Sequence, residues 1–208
     1  MPAPPRHLLV VRHGQSTWNA EGRWQGQADP PLSALGWAQA RDAARRLAGT
    51  AFAAVVSSDL ERARTTAEIL AAALGLDVHV DHGLREIDVG DWTGLTRDEI
   101  HAGWPGALAD WSEGRSESPP GGETRDHLAA RARDALVRVA TAAAPGDHVL
   151  VVTHGALIRN LDRLLGLAPY GIENLAGRWY LADGNGALAP GAPVSLVDPE
   201  GRTLSASV

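Results

Sequence analysis

The sequence predicts an α/β protein: a three-layer α/β/α sandwich with a mostly parallel sheet, one antiparallel edge strand and a lid excursion. Three observations predict it. Short apolar runs rich in Val and Leu alternate with longer segments of helical spacing, the pattern of a parallel sheet covered on both faces. Two of those runs end in the same dipeptide, His-Gly. One stretch, Gly90–Gly122, breaks the alternation and is too long for an ordinary connection.

Taken in order, His7–Val11 reads as a buried strand and Leu32–Ala48 as a helix with Ser33 as N-cap. Phe52–Val56 is a second strand. Leu60–Leu74 is a second helix, opened by Ser58-Asp59 and closed by Gly75. Val78–Val80 is a weak strand, and Thr124–Ala143 a long Ala/Arg helix ended by Pro145-Gly146. His148–Val152 is the clearest strand, followed by a helix over Ala156–Leu165 that ends at Gly166. Beyond Tyr180 the pattern predicts a strand, a Gly/Pro-rich turn and a hairpin around Asp198-Pro199-Glu200-Gly201. The whole chain, 1–208, is expected to form a single domain with a lid over about 90–123 that holds short helical pieces at most.

Composition narrows the function. The net charge of −6 argues against general nucleic-acid binding. All 19 basic residues are Arg, so any cationic site must be built from guanidinium groups, which suit bidentate contacts to phosphate. There is no Cys, which excludes disulfides, thiolate catalysis and thiolate metal sites. No apolar stretch approaches the roughly 18 residues that span a membrane, and the apolar run after MPAPPR is too short for a signal peptide. A cytoplasmic protein, monomer or homodimer, is expected.

The chemistry collects at strand ends, where an open α/β sheet places its ligand. The first strand runs into Arg12-His13-Gly14 and the fourth into Thr153-His154-Gly155. Parallel neighbours would bring both imidazoles to one edge, and Gly155 opens a helix whose amide-rich N-terminus favours an anion. Arg62 falls on the first turn after the second strand, where Ala63, Thr66 and Ala67 leave room around it, whereas Arg64 fits a solvated face. Leu84-Arg85-Glu86-Ile87-Asp88 puts two candidate acids, Glu86 and Asp88, where the lid begins.

These residues carry a resemblance. Arg12-His13-Gly14-Gln15-Ser16-Thr17-Trp18-Asn19, Gln25-Gly26, Asp29-Pro30-Pro31-Leu32-Ser33, Gly36 and Gln39-Ala40 come first. Ser57-Ser58-Asp59-Leu60 with Arg62-Ala63 and Thr66-Ala67 follow, then Leu84-Arg85-Glu86 with Gly90-Asp91-Trp92 and Gly94, then Thr153-His154-Gly155. In order and separation the chain resembles the histidine phosphatase superfamily, also called phosphoglycerate-mutase-like, over roughly residues 7–165 and more loosely at Asn174. The resemblance implies a nucleophile at His13, phosphate oxygens held by Arg12, Arg62 and His154, and a proton donor at Glu86. Asn19 and Ser16 would support the phosphate pocket, with Gly155 at the helix end. It implies no metal and no cofactor, and a small phosphomonoester as substrate. A neutral imidazole is a competent covalent nucleophile. Fixed positive groups around a transferring phosphoryl group are what that reaction needs, and a protonated His154 would add a third.

Three other readings compete with this one. His13, His154 and Glu86 have the ligand types of a two-histidine, one-carboxylate metal site, but Arg12 and Arg62 beside a divalent cation argue against it. A cofactor-dependent phosphoglycerate mutase would carry a Tyr-Gly and Lys pattern after the catalytic Glu, which is missing here. From Leu95 to Asp126 three arginines (Arg97, Arg115, Arg125) stand against seven acids, a net charge of −4, so the lid is expected to disfavour a second anionic group. A non-catalytic phosphate-binding module would have lost a catalytic residue, and every position is filled. Trp37 and Trp179 are expected in the core. Trp92, Trp104 and Trp111 either anchor the excursion or line a pocket. The remaining histidines, His7, His79, His82, His101, His127 and His148, are expected at the surface.

Overall fold

The structure is a computed structural model and describes residues 3–168 and 170–197. Its sheet has six strands: β1 (Arg6–Arg12), β2 (Ala54–Ser57), β3 (Val78–Val80), β4 (His148–Thr153), β5 (Ala176–Ala182) and β6 (Leu188–Ser195). They stand in the order β3-β2-β4-β1-β5-β6. The four strands from β3 to β1 are parallel, and β5 runs antiparallel to both neighbours. The sheet thus contains the one opposed strand that the sequence predicts, but one place in from the edge, because β6 pairs outside it.

The two-residue period of the strands divides their side chains between two helical layers. Leu8, Val10, Val149 and Val151 pack with Leu136, Val139, Ile158 and Leu161, from α6 (Arg125–Ala142) and α7 (Gly155–Leu164). Leu9, Val11, Leu150 and Val152 pack with Ala43, Leu47, Ala67 and Leu70, from α2 (Ala34–Leu47) and α3 (Glu61–Leu74). Strands buried on both faces read as unbroken apolar runs, which is why β1 and β4 were visible. Ser33 caps α2 as expected, and Thr124, expected as the first residue of its helix, caps α6. The opening of α3 differs: Leu60 holds the cap position, and the N–H of Glu61 donates to Asp29, 2.6 Å away.

The segment after β1 adds a short helix, α1 (Thr17–Ala20), and the lid adds α4 (Arg97–Gly103) and α5 (Ala107–Ser112). The lid has its own apolar cluster, in which Ile87, Val89, Trp92 and Ile100 pack on Leu128, Ala156 and Leu157. Some expectations fail. Trp37 is 42% exposed, because the buried stripe of α2 runs through Gly36, Ala40, Ala43, Ala44 and Leu47 and leaves position 37 off that face. His7 and His148 are half-buried and stacked at 4.5 Å, rather than lying on the surface. The strand expected beyond Tyr180 already begins at Ala176, and its hairpin turns at Asp183–Ala187, where Asp183 accepts from the N–H groups of Asn185 and Ala187. The hairpin expected around Asp198-Pro199-Glu200-Gly201 lies outside the described residues.

Candidate active site

β1 and β4 pair in register to their last residues, Arg12 opposite Thr153, so the chain leaves both strands at one level. His13 and His154 follow at once. Their rings lie 5.1 Å apart, 61° from coplanar, and 2% and 0% exposed. Gly14 matters here for space: a Cβ on it would meet the carbonyl oxygen of Gly36 at 2.8 Å.

The hydrogen bonds of His13 fix its tautomer. Nδ1 lies 2.6 Å from the carbonyl oxygen of Gly14, and a carbonyl only accepts, so Nδ1 carries the proton. Nε2 is then the lone-pair nitrogen, and it accepts from Nε of Arg62 at 3.3 Å. Burial first, then Arg62 and Arg12, push the imidazole well below its ordinary pKa, against the opposing bond to Gly14. His154 is likewise pushed well below, by burial, Arg62, His13, Arg12 and Arg131 in that order. The ligand-free site thus favours the neutral imidazole of His154, and a positive charge on it would need a phosphate dianion beside it. Its Nε2 lies 2.9 Å from the hydroxyl of Ser58, and its buried Nδ1 has no partner among the described residues.

Arg62 projects inward from the first turn of α3 and is fully buried. Besides His13 it donates to the carbonyls of Ala28 at 2.7 Å and Gly26 at 2.9 Å, which aims the guanidinium without neutralising it. Burial lowers its pKa to about 10. Arg12 is anchored by the carbonyl of Ile172 at 2.8 Å. Glu86 lies across the cavity at the N-terminus of α7, where its carboxylate accepts from the N–H groups of Ile87, Ala156 and Leu157 at 3.0–3.2 Å. Asp88 does not line the cavity; it accepts from the N–H of Gly90. Among the described residues no three His, Asp or Glu side chains group as metal ligands.

A cavity of about 380 Å³ opens above these groups, lined by Arg12, His13, Asn19, Arg62, Glu86 and Gly155 from the expected set. His154 and Ser16 stand behind it. Ser16 is buried as the N-cap of α1: its hydroxyl accepts from the N–H of Asn19 and donates to Gln25, while Asn19 accepts from the N–H of Ser16.

Of the outer wall, the sequence offered Trp111 as one candidate but not Trp24 or the arginines beside it. Trp24 and Trp111 line the cavity 5.5 Å apart, with buried Trp92 completing an edge-to-face triangle, so Trp92 anchors the lid and Trp111 forms wall. Arg23, Arg97 and Arg159 also line it. The cavity therefore presents five arginines and one glutamate, the reverse of the sign expected from the acidic lid. Five of the lid's seven acids are turned to other partners: Glu99 to Arg23, Asp110 and Glu113 to Arg115, Glu123 to Arg131, Asp126 to Arg163. Summed charge along a segment says nothing of which side it presents. One signal for Arg159 was available: it follows Gly155 by four residues, hence on the same helix face.

Residues 8–178 match the family model of the histidine phosphatase superfamily (branch 1). The chain belongs to that superfamily. A glucosyl-3-phosphoglycerate phosphatase of Mycobacterium tuberculosis is 42% identical over 167 residues, 77% of this chain and 75% of the relative. Phosphoglycerate mutase-like protein 4 of Arabidopsis thaliana is 42% identical over 158 residues, 74% of this chain and 68% of the relative. Among solved structures, a mycobacterial glucosyl-3-phosphoglycerate phosphatase with VO3 superposes with a TM-score of 0.75 at 39% identity, covering 85% of this chain and 90% of the other. These superfamily relatives bear out the phosphatase class and the α/β fold expected from the sequence. No helix among the described residues is long and apolar enough to cross a membrane.

Proposed function

We propose that this member of the superfamily is a phosphomonoesterase that hydrolyses small phosphate monoesters through phosphohistidine on His13, without a metal and in the cytoplasm. One observation carries the reading. The Nδ1–H of His13 is committed to the carbonyl of Gly14, which leaves an unprotonated Nε2 beside two guanidinium groups at the cavity floor. Nε2 attacks phosphorus, the ester P–O bond breaks, and Glu86 gives the leaving oxygen its proton. Phosphorylation makes the ring cationic, and the Nδ1–H bond to Gly14 stabilises that charge. Water then attacks phosphorus, returns a proton to Glu86 and frees His13 as phosphate departs. Arg12 and Arg62 offset the charge on the phosphoryl oxygens. The orphaned Nδ1 of His154 fits the same task, donating to a phosphoryl oxygen while Nε2 accepts from the Ser58 hydroxyl. Asn19 and Gly155 complete the rim and Ser16 holds Asn19 in place.

The test is a rapid alkaline quench with labelled substrate, on a panel that includes p-nitrophenyl phosphate and glucosyl-3-phosphoglycerate. Label is expected on His13, acid-labile and alkali-stable, and His13→Ala should lose essentially all turnover. Chelator should leave the rate unchanged. Retention of more than a few per cent of activity by His13→Ala overturns the covalent route. Isomerisation of phosphoglycerates faster than hydrolysis would favour a mutase.

A further inference from the structure

We propose that Asn174 and Thr66 are positioning residues for the nucleophile: they hold the two ends of the His13–Gly14 peptide and so keep His13 in the tautomer whose Nε2 is bare. The consequence for turnover rests on the phosphatase reading, in which that nitrogen attacks phosphorus.

A neutral imidazole has two tautomers, and the partner of one ring nitrogen decides what the other carries. Here the decision belongs to one atom, the carbonyl oxygen of Gly14, 2.6 Å from Nδ1. The opposite tautomer would put a proton on Nε2, facing the donor Nε of Arg62, and would leave no lone pair for phosphorus. Yet the deciding carbonyl sits on the residue least able to fix its own backbone. Glycine has the widest choice of dihedral angles, and the close approach of the Gly36 carbonyl leaves no room for a Cβ at position 14. The direction of the Gly14 carbonyl must therefore be set by its neighbours.

Three elements set it. The carbonyl of His13 accepts from Nδ2 of Asn174 at 2.9 Å. At the other end of the same peptide, the N–H of Gly14 donates to Oγ1 of Thr66 at 3.1 Å. The Thr66 hydroxyl gives its only proton to the carbonyl of Arg62 at 2.7 Å, so its oxygen meets Gly14 as an acceptor. Thr66 thus ties the nucleophile's peptide to the turn of α3 that carries Arg62. The next peptide is pinned as well: the N–H of Gln15 donates to Oε1 of Gln39, on α2, at 2.9 Å, and its carbonyl is the one that holds Nδ1. All four polar atoms of two consecutive peptides have partners.

Asn174 leads into a strained residue. Leu175 is buried and has a φ of 57°, the one residue other than glycine with positive φ among the described residues. Its N–H donates to the carbonyl of Arg12 at 3.0 Å, and its own carbonyl accepts from the N–H of Leu196 at 2.8 Å. The consecutive carbonyls of Arg12 and His13 are thus answered by the consecutive residues 175 and 174. Left-handed backbone at a bulky side chain is costly and persists where the surroundings over-determine it. The strained turn is what sets Asn174 against the nucleophile.

The experiment removes one end of the clamp at a time. Thr66→Val keeps the shape and loses the acceptor, and Asn174→Ala loses the donor. Each should lower kcat/KM on p-nitrophenyl phosphate by about tenfold or more, the scale of a small misplacement of a reacting group. The Ki of inorganic phosphate should stay close to the wild-type value, because Arg12, Arg62 and His154 still hold the anion. Thr66→Ser, which keeps the hydroxyl, should retain most of the rate. NMR of isotope-labelled histidine nitrogens reads the tautomer directly, with the His13 signals identified by their absence from His13→Ala. The wild type and Thr66→Ser should show Nδ1–H alone, and the other two variants a share of Nε2–H. Wild-type kcat/KM in both Thr66→Val and Asn174→Ala overturns the proposal. So does a loss of rate with the His13 tautomer unchanged, which would make both residues merely structural. The spectra need no turnover. A wild type that hydrolyses no phosphomonoester and forms no phosphohistidine, while the tautomer shifts as expected in the variants, overturns the phosphatase reading and leaves the clamp standing.

Discussion

The floor and the roof of the cavity are built in opposite ways. The floor consists of strand ends and helix starts: His13 and His154 leave adjacent parallel strands, Arg62 stands on the first turn of α3, and α7 begins at Gly155. His13, His154 and Arg62 are all buried; backbone carbonyls aim His13 and Arg62, and the hydroxyl of Ser58 meets His154. The roof is irregular backbone carrying two short helices, held by three tryptophans and by ion pairs. Buried groups on regular elements give fixed chemistry. Side chains on an irregular segment give a surface whose specificity changes without touching the reaction. The division predicts that substitutions in the floor change the rate for every substrate, whereas those in the roof discriminate between substrates.

The largest effect that would sharpen this division concerns Glu86. If it is the proton donor, Glu86→Gln should slow hydrolysis of a sugar phosphate by about 10²–10⁴-fold, because an alkoxide needs a proton as it leaves. The loss with p-nitrophenyl phosphate, whose leaving group is stable as an anion, should be far smaller. The Asp88 carboxylate accepts from the N–H of Gly90 and lies outside the cavity, so Asp88→Asn should treat both substrates alike. Steady-state rates on the two esters decide it: a loss in Asp88→Asn that depends on the leaving group, with a uniform loss in Glu86→Gln, would transfer the role.

The floor also makes a prediction about pH. His13 and His154 are held neutral in the native chain by burial and by Arg62, whereas histidines of the unfolded chain protonate near pH 6.5. Below that pH the unfolded state binds protons that the native state refuses, so stability is complete above it and falls as pH drops toward the depressed native values. Each group contributes a slope of up to about 1.4 kcal/mol per pH unit in that window. Urea unfolding between pH 7.5 and 5 should show the slope, and His154→Gln should remove close to one proton's share of it. Parallel curves for the variant and the wild type would show that His154 takes up its proton in the native state after all.

How much of this was legible follows from the same division. β1 and β4 are apolar runs that end in His-Gly, so sequence alone brings His13 and His154 together once the strands are parallel neighbours. Arg62 was legible because small residues flank it on the helix, and Glu86 through the motif around Arg85. The roof was not legible, because an irregular segment has no period to say which side chains turn inward. Counting charges gave the wrong sign there: Glu99, Asp110, Glu113, Glu123 and Asp126 each face another arginine, while Arg97 faces the cavity. The β5–β6 hairpin was placed too late because Pro190 and Pro193 read as turn residues, although an edge strand tolerates them.

The smallest expected effect on rate tests the seam between floor and roof, at Arg131 of α6. Its guanidinium donates to the carbonyls of Gly83, Arg85 and Glu86 at 2.7–3.0 Å and pairs with Glu123 at 2.7 Å. Glu123 in turn meets the backbone of Asp88, both as donor from its own N–H and as acceptor at its carboxylate. One ion pair thus joins the last residues of the lid to the backbone that carries Glu86. Arg131 touches no cavity surface, so it acts by positioning. Arg131→Met leaves three carbonyls and a nearly buried carboxylate without their partner. Breaking a buried pair from one side typically costs about 3–5 kcal/mol, and the lower end is expected here because Arg131 keeps 17% exposure. If Glu86 is displaced as a result, hydrolysis of a sugar phosphate should fall by about tenfold, since small misplacements of a reacting group are expensive. Hydrolysis of p-nitrophenyl phosphate should fall less. The decisive comparison is the double variant. In a Glu86→Gln background, Arg131→Met should still lower the unfolding free energy but should add no further loss that depends on the leaving group. An additional tenfold loss on the sugar phosphate in that background would mean that Arg131 acts on the reaction by some route other than Glu86.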